Sequence, residues 1–271
     1  MSRTTRLFTQ KSGQRGCCVS TISFITIIRK EVTRWMRIWP QTLLPSVVTI
    51  SLYFLIFGAF IGSQIRAING FSYMEFIVPG LIMMAVITNS YSNVVSSFFG
   101  SKFQRSIEEI LVSPTPTGVI IIGYCLGGMF RALAVAVLVT IVSLLFVPMN
   151  AFSWPIIILF VVLTSLLFSL AGLINGVFAK KFDDVTIVPT FVLTPLTYLG
   201  GVFYSISALP SFWQTVSKFN PVLYLVNGFR YGFLGFSDVS VWVSLGALVL
   251  FTLCLFILAY QLIEKGVGLR E

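Results

Sequence analysis

Six stretches of the chain stay apolar long enough to matter, near positions 42–61, 76–99, 119–147, 155–178, 185–204 and 241–263. At about 1.5 Å per helical residue, each can cross about 30 Å of hydrocarbon. The breaks between them are short and polar. Arg66 and Asn69 follow the first stretch, 100–117 the second, Pro148-Met149-Asn150 the third, and Lys180-Lys181-Phe182-Asp183-Asp184 the fourth. Pro79-Gly80, Asn89, Ser90 and Asn93 soften the second stretch, and Pro189 and Pro195 lie inside the fifth. Residues 205–240 are mixed and interrupted by Pro210, Pro221 and several glycines. Their apolar pieces are too short to span, which predicts short re-entrant helices in the outer leaflet, with non-helical backbone covered by protein. The pattern predicts an all-α integral membrane fold with six transmembrane helices.

Ahead of the first span the pattern changes. Phe24, Ile27, Ile28, Trp35, Ile38 and Trp39 recur at helical spacing, with Arg29, Lys30, Glu31, Arg34 and Arg37 on the other side. This suits an N-terminal helix lying in the membrane interface, or else the solvated, positive flank of the first span. Residues 1–20 are basic and Ser/Thr-rich, without the apolar core of a secretory signal, and read as a mobile N-terminus. The chain thus divides into 1–20 and a single transmembrane domain, 21–271.

Composition agrees. Hydrophobic residues make up 56% and charged residues 10%, against about 25% charged in a soluble domain. The net charge of +9 does not point to nucleic acid, because the basic residues flank apolar runs and form no single face. With the N-terminus inside, Arg3, Arg6, Lys11, Arg15, Arg29, Lys30, Arg34, Arg37, Lys102, Arg105, Lys180, Lys181, Lys265 and Arg270 share one side. Only Arg66, Lys218 and Arg230 fall on the other, so both termini are expected in the cytoplasm. The cysteines Cys17, Cys18, Cys125 and Cys254 have no metal or disulfide spacing, and the chain contains no histidine. No cofactor or metal site is expected. Four small-xxx-small pairs, Gly58/Gly62, Gly123/Gly127, Gly172/Gly176 and Gly228/Gly232, predict close helix packing.

Two segments carry functional information. In 102–114, Phe103, Ile107, Ile110 and Leu111 form an apolar stripe opposite Lys102, Arg105, Glu108 and Glu109, and Pro114 and Pro116 stop the helix. Such a helix between two spans can dock on a cytoplasmic partner or rest on headgroups; the paired glutamates favour a protein. The second segment contains Gly200-Gly201-Val202-Phe203-Tyr204, Leu209-Pro210, Asn220-Pro221 and Arg230.

Taken together, the chain after about residue 20 resembles the permease subunit of the ATP-binding-cassette type-2 exporters. The block Gly200, Gly201, Leu209, Pro210, Asn220, Pro221 and Arg230 is the most specific element, similar to that family's outer re-entrant segment after the fifth span. Glu108, Glu109, Leu111, Ser113 and Pro114, with Phe103 and Ile107 beside them, resemble its coupling helix. The amphipathic stretch at 20–39 resembles its interfacial elbow. The resemblance implies a permease homodimer in the bacterial inner membrane, moving a drug, lipid-linked glycan or other amphiphile, with separate ATPase subunits. The chain itself lacks an engine, because no lysine follows a glycine and a phosphate-cradling loop needs Gly-Lys-Ser/Thr.

The alternative is an ion-coupled secondary transporter, which would bury an acidic residue in a span. Glu31, Glu75, Glu108, Glu109, Asp183, Asp184, Asp238, Glu264 and Glu271 all fall at or outside span ends. An intramembrane enzyme would need paired polar groups at depth, and neither histidine nor an embedded carboxylate is present. A scaffold stays open on residues alone. Arg131, inside the third apolar stretch, reads either as a substrate contact or, preferentially, as a snorkelling residue at the cytoplasmic end of the crossing. Arg230 reads as an exit-side contact or, preferentially, as an interfacial anchor.

Overall fold

Helix-stopping residues and the demand that every polar group be satisfied in lipid organise the computed structural model, which describes residues 3–62, 70–147 and 151–268, with side chains from residue 20 onward except at 59 and 61. Expectations at Arg66, Asn69, Pro148, Met149, Asn150, Arg270 and Glu271 fall outside these residues, as do those on the side chains of Cys17 and Cys18.

Helix α1 (Arg3–Arg37) meets α2 (Trp39–Tyr53), which continues as a π-helical stretch, Phe54–Ile61. Then come α3 (Tyr73–Phe103), the short α4 (Ser106–Val112), α5 (Thr117–Ser143) and α6 (Trp154–Phe178). Next are α7 (Phe182–Val188), a π turn (Pro189–Leu193), α8 (Thr194–Leu199), a 3-10 turn (Ile206–Ala208), α9 (Ser211–Lys218), α10 (Pro221–Leu234) and α11 (Val241–Glu264). Five helices among the described residues are long and apolar enough to cross a membrane: Trp39–Gly58, Tyr73–Phe103, Thr117–Ser143, Trp154–Phe178 and Val241–Glu264.

The fifth predicted span, 185–204, differs. It is not one α-helix but α7, the π turn and α8 in series, and it stops at Leu199. Proline removes an N–H and clashes with the preceding turn, and the π turn starting at Pro189 accommodates this. Pro189 O accepts the Thr194 backbone N–H, and Thr194 Oγ1 (2.9 Å) adds a second donor to it, while Thr197 Oγ1 donates to Leu193 O (2.7 Å).

Burial sorts the helices. Within their apolar windows, α3 is 78% buried, whereas the first span and α11 are only 17% buried. Lipid tails are as apolar as leucine, so apolar side chains gain nothing by turning inward; small and polar residues do. Helix α3 is accordingly the central post, with Asn89, Ser90, Asn93, Ser97 and Ser101 all buried. Leu52, Leu250, Leu253 and Ile257 face outward.

Three of the four glycine pairs, 123/127, 172/176 and 228/232, face another helix, whereas a Cβ on Gly62 would meet only its own preceding turn. A Cβ on Gly123 would lie 2.6 Å from Ile27 Cγ2, and one on Gly127 would lie 2.5 Å from Glu31 Cβ. The contact advances by four residues on both helices, so α1 runs lengthwise along the first half of α5, with one face given to protein. Gly172 is tighter, since its Cβ would stand 2.5 Å from the Tyr91 carbonyl oxygen. Gly172→Ala should therefore destabilise despite a gain in helix propensity of about 1 kcal/mol. Overpacking against backbone costs about 1–3 kcal/mol, and a lower thermal midpoint of the purified protein in detergent checks it.

Candidate coupling helix, polar ladder and outer turn

Helix α3 ends at Phe103, and Gln104-Arg105 turn the chain into α4, with Arg105 in the left-handed region (φ 58°). The apolar stripe predicted across 102–112 is therefore divided. Phe103 stays on α3, exposed, where Phe99, Phe103 and Phe182 form an aromatic trio joining α3 to the start of α7. Ile107 is buried with Ile27, Phe98, Ile120 and Tyr124, and Ile110 and Leu111 pack against the same cluster. The stripe thus holds α4 to its own protein and is not the anchor for a partner. Outward are Glu108, Glu109, Pro114 and Val112, the last 87% exposed.

Further hydrogen bonds tie the end of α4 and its surroundings together. Ser113 donates its hydroxyl to Ile110 O (2.6 Å) and lies 2.8 Å from the Thr115 hydroxyl, which donates to Ser23 Oγ on α1 (3.0 Å). Lys102 Nζ donates to the carbonyls of Val177 and Ala179 at 2.9 and 2.8 Å, capping the end of α6 with a positive charge. At the turn before α7, the N–H groups of Lys180 and Lys181 donate to Asp184 at 2.8 and 3.0 Å. These bonds hold the Asp184 carboxyl below the usual carboxylate range.

From this end a polar ladder climbs α3 at four-residue steps. Ser101 Oγ accepts from Lys30 Nζ (3.2 Å) and from Tyr124 (3.1 Å). Ser97 donates to Glu31 Oε1 (2.6 Å). Asn93 accepts from Arg34 Nη2 through its side-chain and backbone oxygens, both at 2.9 Å. Asn89 donates to Ser46 Oγ (2.9 Å) and accepts from Arg131 Nη2 (3.0 Å). Glu31 is fully buried and pairs with Arg34 at 3.2 Å.

Two expectations are corrected by this ladder. Glu31 is not on a solvated flank, because Gly127 opens the space for it and Ser97 and Arg34 satisfy it. Arg131 does not snorkel; it reaches inward to Asn89 and to Thr42 O (3.4 Å). Sequence reading missed the ladder, although its signal is present: Asn89, Asn93, Ser97 and Ser101 lie at i, i+4, i+8 and i+12. Above it, between α2 and α3, a groove of about 210 Å³ is lined by Ser46, Thr49, Tyr53, Thr88 and Asn89 among apolar side chains.

At the opposite end, Gly200 and Gly201 close α8, the latter at φ +75°. They set Val202 against α3, where a Cβ on Gly80 would sit 2.8 Å from the Val202 carbonyl oxygen. Leu209 O accepts from Gln214 Nε2 (2.8 Å), and Pro210 begins α9, whose Phe212, Trp213 and Phe219 are exposed. Asn220 caps α10 by accepting from Val222 N (2.9 Å), and its Nδ2 donates back to Leu196 O (2.6 Å); Pro221 takes the first helical position. Helix α10 is mostly buried, so the segment expected to be re-entrant comprises an exposed helix, α9, and a core helix, α10. Arg230 is a third correction. It is not at an interface but fully buried on α10, donating through Nη2 to Gly201 O (2.7 Å) and through Nε to Phe76 O (3.3 Å). Its guanidinium stacks 3.8 Å from the Phe76 ring centroid.

Residues 22–234 match the family of ABC-2 type transporters. The chain belongs to that family. It is 60% identical to the inner membrane transport permease YadH of Escherichia coli (strain K12) over 250 residues, covering 92% of this chain and 98% of that protein. It is 23% identical to nodulation protein J of Rhizobium leguminosarum bv. trifolii over 246 residues, covering 90% and 94%. The protein is therefore an inner-membrane transport permease of the ABC-2 type, a family that works with ATP-binding-cassette ATPase partners. Buried Glu31 removes part of the sequence argument against an ion-coupled transporter, and family membership decides that question instead.

Proposed function

We propose that the permease forms the membrane half of an ATP-driven exporter of an amphiphile, working as a homodimer above two ATPase subunits, with both termini cytoplasmic. The observation that carries the coupling is the division of α4: one face is locked to α1, α3 and α5, while Glu108, Glu109, Val112 and Pro114 are left outward. A force applied to that outer face reaches three elements at once. Phe103 and Phe182 extend the same cytoplasmic surface. The amphiphile is supported by the groove between α2 and α3, where hydroxyls and an amide sit among apolar walls. The family match beginning at residue 22 supports residues 1–20 as an extension to the transmembrane domain 21–271.

Reversing Glu108 and Glu109 to Lys should weaken co-purification of the ATPase in a salt-dependent manner, because exposed pairs are screened. Ile107→Ser should act differently, lowering permease stability by about 2–3 kcal/mol through lost burial. Wild-type ATPase retention by the double charge reversal, with substrate-stimulated hydrolysis intact in liposomes, would move the docking surface to the Lys180–Lys181 turn and α1. Orientation is tested by cysteine labelling: sites at Lys102 and Lys181 should react only from the cytoplasmic side, and one at Ser211 only from outside. External labelling of Lys181 would overturn the orientation.

A further inference from the structure

Arg29, Lys30, Arg34 and Arg37 crowd one region of α1. Among the described residues only Arg34 has a carboxylate partner, the inward-facing Glu31. Arg29, Lys30 and Arg37 are exposed, and with Thr26, Thr33 and Arg34 they line a groove of about 580 Å³ along the helix. Lys30 is held at one wall by Ser101 Oγ (3.2 Å) and lies 5.8 Å above the Tyr124 ring. Lys30 and Arg34, four residues apart, and Arg34 and Arg37, three apart, are like charges that repel on one helix face, so the stripe calls for a counter-anion. Ile22, Ile25, Met36 and Trp39, all exposed, give the same segment an apolar edge at which hydrocarbon ends and headgroups begin.

We propose that this groove binds the phosphate headgroup of an anionic membrane lipid. Guanidinium groups meet phosphate oxygens bidentately, and an anionic headgroup adds a charge that a zwitterionic one cancels with its own ammonium. Arg34 gives the site a route inward. It lines the groove while Nη2 holds Asn93, so occupancy bears on the contact that fastens α1 to α3. The proposal requires only that residues 29–37 of α1 reach the headgroup layer and is independent of the coupling reading above.

The test uses purified permease in neutral detergent, with its thermal midpoint followed while phosphatidylglycerol, phosphatidylcholine or inorganic phosphate is added. Phosphatidylglycerol should raise the midpoint of the wild type and of Lys218→Gln. The Arg29→Gln/Lys30→Gln/Arg37→Gln variant should need about tenfold to a hundredfold more of it, since each surface cation contributes to anionic-lipid attraction. The single variants Arg29→Gln and Arg37→Gln should each show a several-fold loss, which keeps the test decisive if the triple variant folds poorly. An equal response in wild type and variants, or an equal response to phosphatidylcholine, would overturn the site. The same shift from inorganic phosphate at matched concentration would overturn the lipid as its occupant.

Discussion

Replacing Arg230 by Leu should cost the permease about 2–4 kcal/mol and abolish most transport, although the substituted residue lies at the end of α3 opposite α4. Two opposing effects decide the sign. Removing a fully buried guanidinium relieves a desolvation penalty, and among the described residues Nη1 has no hydrogen-bond partner. Against this, Gly201 O loses its donor in a fully buried site, at about 1–3 kcal/mol, and Phe76 O loses the second donor it has beyond the helix ladder of α3. The cation–π contact with Phe76, worth up to about 2 kcal/mol when desolvated, is lost as well. The losses outweigh the relief. Arg230 also closes the turn at Gly201 onto α3, so the outer segment should loosen and not merely weaken locally. Arg230→Lys should behave much like the leucine variant, because a single ammonium cannot serve two carbonyls and a ring as the planar fork does. The thermal midpoint in detergent, together with protease sensitivity at 200–220, measures both effects. A leucine variant as stable as wild type would mean that desolvation dominates at this position.

The second large effect is expected at Glu31. Glu31→Ala leaves Ser97 without its acceptor and Arg34 without its counter-charge, in the crevice that Gly127 opens. Breaking a fully buried pair costs about 3–5 kcal/mol. Arg34 keeps 29% of its side-chain surface exposed, so about 2–3 kcal/mol is expected here. Glu31→Gln should cost less, since the amide oxygen can still accept from Ser97. Combining Glu31→Gln with Arg34→Gln should recover part of the loss, because no uncompensated charge remains. A thermodynamic cycle over the two positions measures the coupling. If the single and double variants are simply additive, the pair does not fasten α1 to the bundle.

The asymmetry between the two ends of the molecule explains why some of this was legible in advance. The caps and stops at Asn220-Pro221 and Pro210 follow from local backbone chemistry, and the structure places both at helix starts. The apolar stripe of 102–112 was legible as a stripe but not as to what it faces. Periodicity reports that one side is apolar, and α4 spends that side on Ile27, Phe98 and Tyr124. The left-handed turn at Arg105 that detaches Phe103 has no glycine to announce it.

The sequence by itself determined the membrane class, the positions of five of the six predicted spans, three of the four close-packing glycine pairs, the absence of a nucleotide-binding loop and the family. All of these rest on composition, on spacing along one helix or on short-range backbone rules, which need no knowledge of neighbours. Tertiary structure alone decided the partners of the charged residues. Glu31, Arg34, Arg131 and Arg230 each read as flank or interface residues, because a charge near a span end has water or headgroups within reach along the chain. Their burial depends on which helix comes alongside: Gly127 opening space for Glu31, the i, i+4 ladder of α3 meeting α1 and α5, and the turn at Gly201 arriving over Phe76. The fifth span shows the same division. Pro189 and Pro195 are plain in the sequence, but whether prolines kink, break or are absorbed by a π turn depends on what packs around them, and here the chain takes the π turn Pro189–Leu193.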